Sequence, residues 1–468
     1  MKSEIICSQD FPSPSARLFF VGIGGIGMSG LAQFLRWQGY AVAGSDRGLE
    51  EPARAQLYAQ LRAQGIPLYP QDGSGPRDFH PDGFVVSTAI ESDNADLAAA
   101  PQVPVFHRAF TLARACEQQG ATLIGVAGSC GKTSVTGWIA SALKTLGHRI
   151  VMIDGGYTQD FESKDLPGNF FAEPSPEFIV AEIDESDRSI REFSPDYAVV
   201  LNVGHDHYEM DELREVFRAF LSRVKRGAVY PAVEPTLAPS DISSAAFHEE
   251  ASGYAVDAHG IHFEVAPNAV VHSCQAGQHS AWNGQAVYQL LRQVLPDVSP
   301  AELAGAMGAF RGVRQRFEIM SDSNSPVAVI NDFAHNPEKL SAAISAARER
   351  YGSPLAMVWQ PHGFKALGDQ REALLAALKV TLHPEDLFLM LPVYYAGGTT
   401  SGKPTSQEVC VQYAAAGLPV QAVATREEVE TRFRAFTDAK AWLVLGARDA
   451  SLRPWTKCLA LNITESYC

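Results

Sequence analysis

Short apolar runs alternate along the chain with longer stretches in which apolar residues recur every three or four positions. Short runs are typical of buried strands, and the longer period is typical of amphipathic helices. The first alternation predicts strands at 17–21, 40–45 and 83–87 and helices at 28–37, 53–63 and 110–117. Because strands that alternate with helices form parallel sheets, residues 1–118 are expected to be one α/β domain.

Two further blocks continue the pattern. The second, 119–320, predicts strands at 121–126, 148–153, 177–183 and 197–203, helices at 133–146, 213–224, 280–294 and 300–310, and a less regular antiparallel part through 230–270. The third, 321–468, predicts strands at 327–330, 355–359, 386–391, 420–424 and 441–445 and helices at 337–351, 371–381, 406–416 and 427–436. The predicted fold class is therefore α/β with three domains, the last of them doubly wound, and 322–326 is the best linker candidate.

A glycine-rich loop, Gly22-Ile-Gly-Gly-Ile-Gly27, joins the first predicted strand to the first helix. Glycines let the backbone approach a phosphate, and a helix N-terminus supplies free N–H groups with partial positive charge. Gly22, Gly24 and Gly27 make a full G-x-G-x-x-G, and Asp46 ends the next strand. Taken alone, this pattern predicts a dinucleotide site.

A second glycine loop, Gly128-Ser-Cys-Gly-Lys-Thr133, joins the strand at 121–126 to the helix at 133–146. It departs from the Walker spacing, because Val126 stands where the first glycine would be. Lys132 and Thr133 nevertheless provide what a nucleoside triphosphate with Mg²⁺ requires, a cation for the β- and γ-phosphates and an oxygen ligand for the metal. The structural alternative is a glycine turn at a strand–helix junction.

Carboxylates and imidazoles follow the next two strands. Glu182-Ile-Asp-Glu-Ser-Asp187 ends one strand, and Asn202-Val-Gly-His-Asp-His207 ends the other. Because the carboxyl ends of parallel strands face the ligand crevice, these side chains should gather beside Lys132. Thr133, Glu182 and His207 are therefore predicted to bind Mg²⁺. The alternative is a solvated acidic loop.

The composition excludes several classes of protein. The 468 residues carry a net charge of −15 without a long basic run, so a broad nucleic-acid interface is not expected. No apolar stretch is long enough for a membrane span, and the N-terminus lacks a signal peptide's apolar region, which predicts a cytoplasmic protein without membrane contact. Seven scattered cysteines fit reduced thiols.

The order and spacing of these motifs resemble the Mur ligase family over nearly the whole chain. The resemblance rests on both glycine loops, on Gly44-Ser-Asp46, on the stretches after residues 182 and 206, and on further stretches at 85–90, 107–108, 310–318, 332–337 and 360–362. It implies an N-terminal Rossmann-like domain for a UDP-sugar, a central P-loop ATPase domain with a mostly parallel sheet, and a C-terminal Rossmann-like domain for the amino acid. The first loop would then hold a UDP-sugar diphosphate instead of a dinucleotide.

The resemblance also implies an activity and its residues. Family members use ATP and one or two Mg²⁺ ions to phosphorylate the carboxylate of UDP-N-acetylmuramate or a related precursor, and an amine then attacks the acyl phosphate. By this resemblance Lys132, Glu182, His207, Arg316 and His335 are catalytic, and Thr133, Glu182 and His207 bind metal. The implied ATP contacts are Gly128, Ser129, Cys130, Gly131, Lys132, Thr133, Ser134, His279, Asn283, Arg316 and Asp332, and the implied UDP-sugar contacts are Gly22, Gly24, Gly25, Ile26, Gly27, Asp46, Ser87, His107 and Arg108.

Departures from the family pattern concentrate where the acceptor should bind. Phe333 and Asn336 replace a tyrosine and a histidine, and Gly363 stands where an arginine follows His362 in the family. The pair Phe333-Ala334 resembles the ligases that recycle murein tripeptide. His335, His362 and Lys365 are the predicted acceptor contacts, with Lys365 as a point-charge substitute for that arginine. The acceptor is therefore L-alanine or a short peptide, and the protein is a monomer or a homodimer. Two alternative functions stay open: a paralogue that binds UDP-sugar and ATP without ligating, and an NAD-dependent oxidoreductase.

Overall fold

The computed structural model describes residues 5–6, 11–185, 189–204, 210–248, 250–395 and 402–466. The chain forms two compact units, one of residues 1–254, 262–274 and 281–313 and one of residues 255–261, 275–280 and 314–468. Within the described ranges, no helix has the length and apolar character that crossing a membrane requires.

The first unit begins with a six-stranded sheet whose neighbouring strands are all parallel. Its order is β1-β6-β5-β2-β3-β4, and the strands are β1 Ile5–Ile6, β2 Arg17–Val21, β3 Ala41–Ser45, β4 Leu68–Tyr69, β5 Gly83–Val86 and β6 Val105–His107. The helices of this part are α1 Ile26–Trp37, α2 Ala55–Ala63, α3 Ser74–Phe79, α4 Ala95–Ala99 and α5 Arg108–Gln119. Apolar strand residues such as Leu18 and Phe20 are fully buried, as the short apolar runs predict.

A seven-stranded sheet follows in the same unit, with only its edge pair β8–β9 antiparallel. Its order is β13-β12-β11-β7-β10-β8-β9, from β7 Thr122–Ala127, β8 Ile150–Ile153, β9 Phe170–Ala172, β10 Phe178–Glu182, β11 Tyr197–Val200, β12 Gly227–Pro231 and β13 Ser243–Phe247. The expectation that 230–270 is antiparallel is wrong at β13, which pairs in parallel with β12. The connection between the two strands crosses back to the end of the sheet where β12 begins, so both strands run in the same direction. Three strands and four helices complete this block: β14 Ser252–Asp257, β15 Gly260–Ala266, β16 Ala269–Ser273, α6 Lys132–Thr145, α7 Met210–Leu221, α8 Gln278–Val294 and α9 Pro300–Gly308.

The buried side-chain amide of Asn169 connects the second sheet of the first unit to helix α1, which belongs to the first sheet's block. Asn169, just before β9, is fully buried, and its Nδ2 donates to the Ile26 carbonyl at 2.7 Å and to Ser29 Oγ at 2.9 Å. Its Oδ1 accepts a hydrogen bond from Gln33 Nε2 at 3.1 Å. All three partners lie on α1, the helix that follows the first glycine loop, so this helix is held by both blocks.

The second unit contains a six-stranded sheet that is parallel except at β17. Its order is β17-β18-β22-β19-β20-β21, from β17 Glu318–Ile319, β18 Ala328–Asp332, β19 Leu355–Gln360, β20 Leu387–Met390, β21 Val420–Ala422 and β22 Ala441–Gly446. Its helices are α10 Pro337–Tyr351, α11 Phe364–Asp369, α12 Arg371–Thr381, α13 Ser406–Ala415, α14 Arg426–Ala435 and α15 Leu452–Ser466. Apolar clusters on both faces of this sheet make it doubly wound, and the predicted α/β class is confirmed.

Candidate functional site

The first glycine loop is shaped by Asp46. The Gly24 N–H donates to Asp46 Oδ2 at 2.7 Å, and the Gly48 N–H donates to Oδ1 at 2.8 Å. A Cβ on Gly24 would lie 2.5 Å from Tyr58 Oη and 2.8 Å from Asp46 Oδ2, so only glycine fits. Asp46, predicted to contact the UDP-sugar, is buried and holds the loop in place. The position of Asp46 after β3 was the basis for predicting a ligand contact, whereas its hydrogen bonds with Gly24 and Gly48 were not predicted.

Arg108 lies against the end of the same loop. Its Nη1 is 2.5 Å from where a Cβ on Gly27 would stand, and its Nη2 is 3.4 Å from Asp184 Oδ2. His107 caps α5 by accepting a hydrogen bond at Nδ1 from the Ala109 N–H at 3.3 Å. Ser87 follows β5, and its carbonyl accepts from the Ile90 N–H at 3.2 Å in a turn. The loop and Arg108 thus offer N–H groups and a cation at one place, the chemistry that a diphosphate requires.

The second glycine loop is held by Asn202 from the next strand. The Cys130 N–H donates to Asn202 Oδ1 at 2.8 Å, and Asn202 Nδ2 returns a hydrogen bond to the Cys130 carbonyl at 3.0 Å. Ser129 Oγ accepts from the Gly204 N–H at 2.9 Å. Gly128 and Gly131 have φ of +133° and +86°, a region that favours glycine. Asn202 had no predicted role, although its position at the end of β11 was a usable signal.

Lys132 opens α6 and is tied down by a neighbouring carboxylate. Its Nζ donates to the Gly128 carbonyl at 2.6 Å and to both Glu185 oxygens at 3.1 and 2.9 Å. The two side chains are only 14% and 4% exposed. Burial opposes the charge of Lys132, but Glu185, with Glu182 and Asp184, raises its pKa above the ordinary value. The lysine is therefore a cation at the phosphate loop, and Glu185, one of the carboxylates expected to gather there, is its ion-pair partner.

Two glycines separate the predicted metal ligands Thr133 and Glu182. A Cβ on Gly155 would lie 2.5 Å from Glu182 Oε1, and one on Gly156 would lie 2.5 Å from Thr133 Cγ2. The Gly155 N–H also donates to Glu182 Oε2 at 3.0 Å. Both side chains therefore pack against this glycine pair, while His207 lies outside the described residues.

Asp154 adds an oxygen group beside Glu182 that was not predicted. It is 2% exposed, its Oδ2 accepts from Thr158 Oγ1 at 2.7 Å, and its Oδ1 has no hydrogen-bond partner among the described residues. Burial and the nearby Glu182 raise the pKa of Asp154 well above its ordinary value. Across the described ranges no three His, Cys, Asp or Glu side chains form a metal-binding group. A hydroxyl and two carboxylates nevertheless suit a hard divalent cation, so the residues fit Mg²⁺.

The end of the first glycine loop and the predicted metal ligand Glu182 line one cavity in the first unit. Gly27 and Arg108 lie on its lining together with Asp154, Glu182 and Asp184, and the loop 128–133 does not contribute to it. Of the remaining ATP contacts, Ser134 lies in the first turn of α6, and Asn283 reaches Gly131, where its Oδ1 is 2.9 Å from the position of a Cβ. His279 lies in the first turn of α8.

In the second unit, Asp332 fixes the chain that carries Arg316. Its Oδ2 accepts from the Phe317 N–H at 2.6 Å, and its Oδ1 accepts from the Ala334 N–H at 2.7 Å. Burial raises the pKa of Asp332, against the opposing effect of Arg316. The Arg316 guanidinium lies 4.6 Å from the Phe333 ring centroid. Their predicted contacts with ATP remain predictions.

The structure brings His335 and His362 together, with ring centroids 5.3 Å apart, at a small pocket that Trp359, Leu367 and Gln370 also line. His335 Nδ1 is 2.9 Å from the Phe333 carbonyl, and burial lowers the pKa of His335 to about 4. Lys365 is not part of this group. Its side chain is 89% exposed and pairs with Asp369 one helical turn on, because both lie on the outer face of α11.

Comparison with known proteins agrees with this arrangement. Models described as Mur ligase family catalytic domain, Mur ligase middle domain and Mur ligase glutamate ligase domain match residues 17–119, 126–282 and 315–448. The UDP-N-acetylmuramate–L-alanine ligase of Streptomyces avermitilis is 33% identical and covers 89% of this chain and 91% of its own length. That of Gloeobacter violaceus is 31% identical, covering 89% of each.

Solved structures share the fold. The crystal structure of a UDP-N-acetylmuramate-alanine ligase from Thermotoga maritima matches with a TM-score of 0.76 at 24% identity, over 97% of this chain and 100% of that one. A murein peptide ligase from Psychrobacter arcticus matches with a TM-score of 0.65 at 18% identity, over 96% and 98%. Three domain models in order, relatives above 30% identity along most of the chain and the paired phosphate loops all agree: the chain belongs to the Mur ligase family.

Proposed function

We propose that this protein is an ATP-dependent ligase that joins the carboxylate of UDP-N-acetylmuramate to the amine of L-alanine in peptidoglycan precursor synthesis. The observation that carries the proposal is the cavity that Gly27 and Arg108 line together with Glu182, the predicted metal ligand. A carboxylate on a ligand bound at the first loop would lie in this cavity, close to the metal ion of a nucleoside triphosphate bound at the second loop. The relatives from Streptomyces avermitilis and Gloeobacter violaceus carry this activity in their names.

Each residue has a role that follows from its position. The loop 22–27 and Arg108 would bind the UDP diphosphate, and Lys132 would neutralise the phosphoryl group as it is transferred to the sugar's carboxylate. Thr133, Glu182 and Asp154 would hold Mg²⁺, which supplies further neutralisation of the phosphate oxygens. The acyl phosphate that forms is then attacked by the amine, and phosphate leaves. His335 and His362 lie on the unit that would bring this amine.

A coupled assay of phosphate release tests the proposal. With UDP-N-acetylmuramate, ATP and Mg²⁺, release should depend on L-alanine, and the product should be the alanyl amide. Absence of release with every amino acid and peptide acceptor would overturn it. Thermal shifts with both nucleotides but without product would favour a binding paralogue, and a shift with NADH alone would favour an oxidoreductase.

A second candidate differs only in its acceptor. Phe333 and Ala334 resemble the pattern of murein tripeptide ligases, and Gly363 stands in place of an arginine that could bind the carboxylate of a free amino acid. Competition between L-alanine and the tripeptide L-alanyl-γ-D-glutamyl-diaminopimelate separates the two. A product that forms only with the tripeptide would identify the recycling ligase.

A further inference from the structure

The pocket beside His362 contains polar atoms without partners. Trp359 Nε1 and His362 Nδ1 are buried, line this pocket and have no hydrogen-bond partner in the described part of the chain. Both lie at the carboxyl end of β19. A buried donor or acceptor left unpaired is costly, so native proteins rarely leave one without a ligand or water. Two such atoms on the lining of one pocket indicate a site for a polar ligand.

The strand order brings one more residue near this pocket. β22 lies between β18 and β19, where Leu445 pairs with Asp332 and Gly446 pairs with Gln360. The chain that leaves β22 therefore emerges between the segments that carry His335 and His362. Arg448 is the second residue after this strand. Ligands of open α/β sheets bind at such carboxyl edges, where neighbouring connections diverge.

Arg448 is held in a conformation that is unusual for arginine. Its φ is +70°, in the left-handed region that favours glycine, and a non-glycine residue is strained in such a conformation. The side chain is exposed, and it forms no ion pair or hydrogen bond with another described residue. The carboxylate next to it, Asp449, is already paired with Arg426 at 2.8 Å. An unpaired guanidinium on a strained turn at a crevice suits recognition of an anion.

The charges around the pocket support the same conclusion. Burial lowers the pKa of His362, and the positive charge of Arg448 lowers it further, which places the guanidinium near this ring. His335 is also kept neutral by burial, aided by the charge of Lys339. Neutral imidazoles can accept hydrogen bonds from an amine, while Arg448 supplies the cation for an acid group. The pocket and the neighbouring Arg448 thus offer one feature for each end of an α-amino acid.

We propose that Arg448 binds the carboxylate of the acceptor amino acid and so replaces the arginine that is missing after His362. This inference rests on the proposed function, because it names the substrate class of the same active site. Arginine presents two parallel N–H groups that match a carboxylate, which the exposed Lys365 cannot do. The acceptor is accordingly an amine with a free carboxylate close to it. Its amine would lie at the unpartnered atoms beside His362.

The test compares acceptors with and without that carboxylate. In Arg448→Gln and Arg448→Gly, KM for L-alanine should rise at least 30-fold while KM for L-alaninamide changes less than twofold, so the preference for the acid collapses. Glycine suits the φ of this position, so Arg448→Gly should fold even if Arg448→Gln does not. Arg448→Lys should restore part of the preference. Equal effects on both acceptors, or none, would overturn the proposal.

A matched control removes another exposed arginine of the same unit. Arg434 lies in the last turn of α14, and Arg434→Gln should leave both KM values unchanged. If the wild type uses the tripeptide instead, the same comparison is made with the tripeptide and its carboxamide forms. If the Arg448 substitutions raise KM only for the tripeptide and not for its carboxamide forms, Arg448 binds a peptide carboxylate. That result would contradict the proposal that Arg448 binds a free amino acid.

A partial reaction separates failure of this inference from failure of the proposed function. With ATP, UDP-N-acetylmuramate and hydroxylamine, the acyl phosphate gives a hydroxamate without any acceptor carboxylate. Wild type and Arg448→Gln should form it at equal rates. No hydroxamate in the wild type would overturn the proposed ligase, whereas hydroxamate with an unchanged KM for L-alanine in Arg448→Gln would overturn only the role of Arg448.

Discussion

The buried ion pair between Lys132 and Glu185 is the most consequential contact of single residues. Glu185 holds the amine of Lys132 at the phosphate loop before any phosphate is present. A buried ion pair stabilises the folded state no more than a well-packed apolar pair does, but removal of one partner leaves an uncompensated buried charge that is strongly destabilising. The position of the lysine therefore depends on a carboxylate that a phosphate must displace or share.

Lys132→Ala should abolish phosphate release and lower the free energy of unfolding by about 3 kcal/mol, because Glu185 stays buried without a partner. Adding Glu185→Gln should recover most of the stability and none of the activity. Urea denaturation and the coupled assay measure the two effects, and UDP-sugar binding should stay near normal in the single variant. Lys144→Ala, which breaks the exposed pair with Glu173, is the control and should cost about 0–1 kcal/mol. Equal instability of the single and double variants would refute the pairing argument.

His335 should make the second unit sensitive to acid. Its pKa is about 4 in the folded chain against an ordinary 6.5, so the unfolded chain takes up a proton first as pH falls. Stability should therefore decrease between pH 6.5 and 4, by about 1–3 kcal/mol from this group. In His335→Gln the loss over this range should be smaller when unfolding is followed at each pH. The exposed His383→Gln serves as control, and a His335→Gln profile parallel to wild type would contradict the assignment.

Some residues of the candidate site could be predicted from the sequence, and others could not. Lys132, Thr133 and Glu182 were predictable, because each stands directly at the end of a strand or the start of a helix. Glu185 was expected beside Lys132 but without a role of its own, and Asp154 was missed, since both roles arise only when segments far apart in the chain come together. The exposed position of Lys365 follows from its place on the outer face of α11, a helix that the periodic pattern did not predict.

At the scale of elements, long periodic segments were predicted almost to the residue. The helices α10 and α12 have the predicted bounds, and most strands differ by one or two residues. Short elements such as β4 and α4 were missed, because two to five residues carry too little periodicity. The helix α15 was also missed, although Leu452, Trp455 and Leu459 are buried at helical spacing.

A pair of glycine substitutions tests the geometry of the second loop. Gly128→Ala should lower the free energy of unfolding by roughly 1–3 kcal/mol and weaken ATP binding, because its Cβ would stand 2.9 Å from the Leu201 backbone nitrogen at a φ of +133°. Gly305→Ala in α9 is the matched control. A Cβ there meets nothing within 4 Å, so the change should stabilise by about 0.5–1 kcal/mol. Thermal denaturation of both variants measures the change in stability. A Gly128→Ala variant with wild-type stability and normal ATP affinity would contradict the conclusion that position 128 requires glycine.

At the scale of the whole molecule, three predicted blocks correspond to two compact units. The first two blocks keep separate sheets but share one unit, and the third forms most of the other. Hydrophobic periodicity detects sheets and helices, but the sequence gives no direct sign of how tightly neighbouring blocks pack. The predicted bounds at 118 and 320 therefore remain predictions.

The second unit should fold alone as residues 314–468. It contains a complete sheet with apolar clusters on both faces, and a chain of about 150 residues buries enough surface for independent stability. Circular dichroism of the isolated fragment should show one cooperative melting transition. Leu443→Asp, which places a charge in the fully buried β22, should abolish that transition in the same fragment. A fragment that lacks cooperative melting without this change would disprove its independence.

The hydrogen bonds of Asn169 set a rule for recombining this protein with its relatives. The helix behind the first loop takes its support from a side chain more than a hundred positions away in the sequence, beyond any block boundary. A chimera that exchanges only residues 1–118 would inherit a foreign partner at 169 and lose affinity for the sugar nucleotide although every residue of its binding loop is intact. Residues 26, 29, 33 and 169 should therefore be exchanged together.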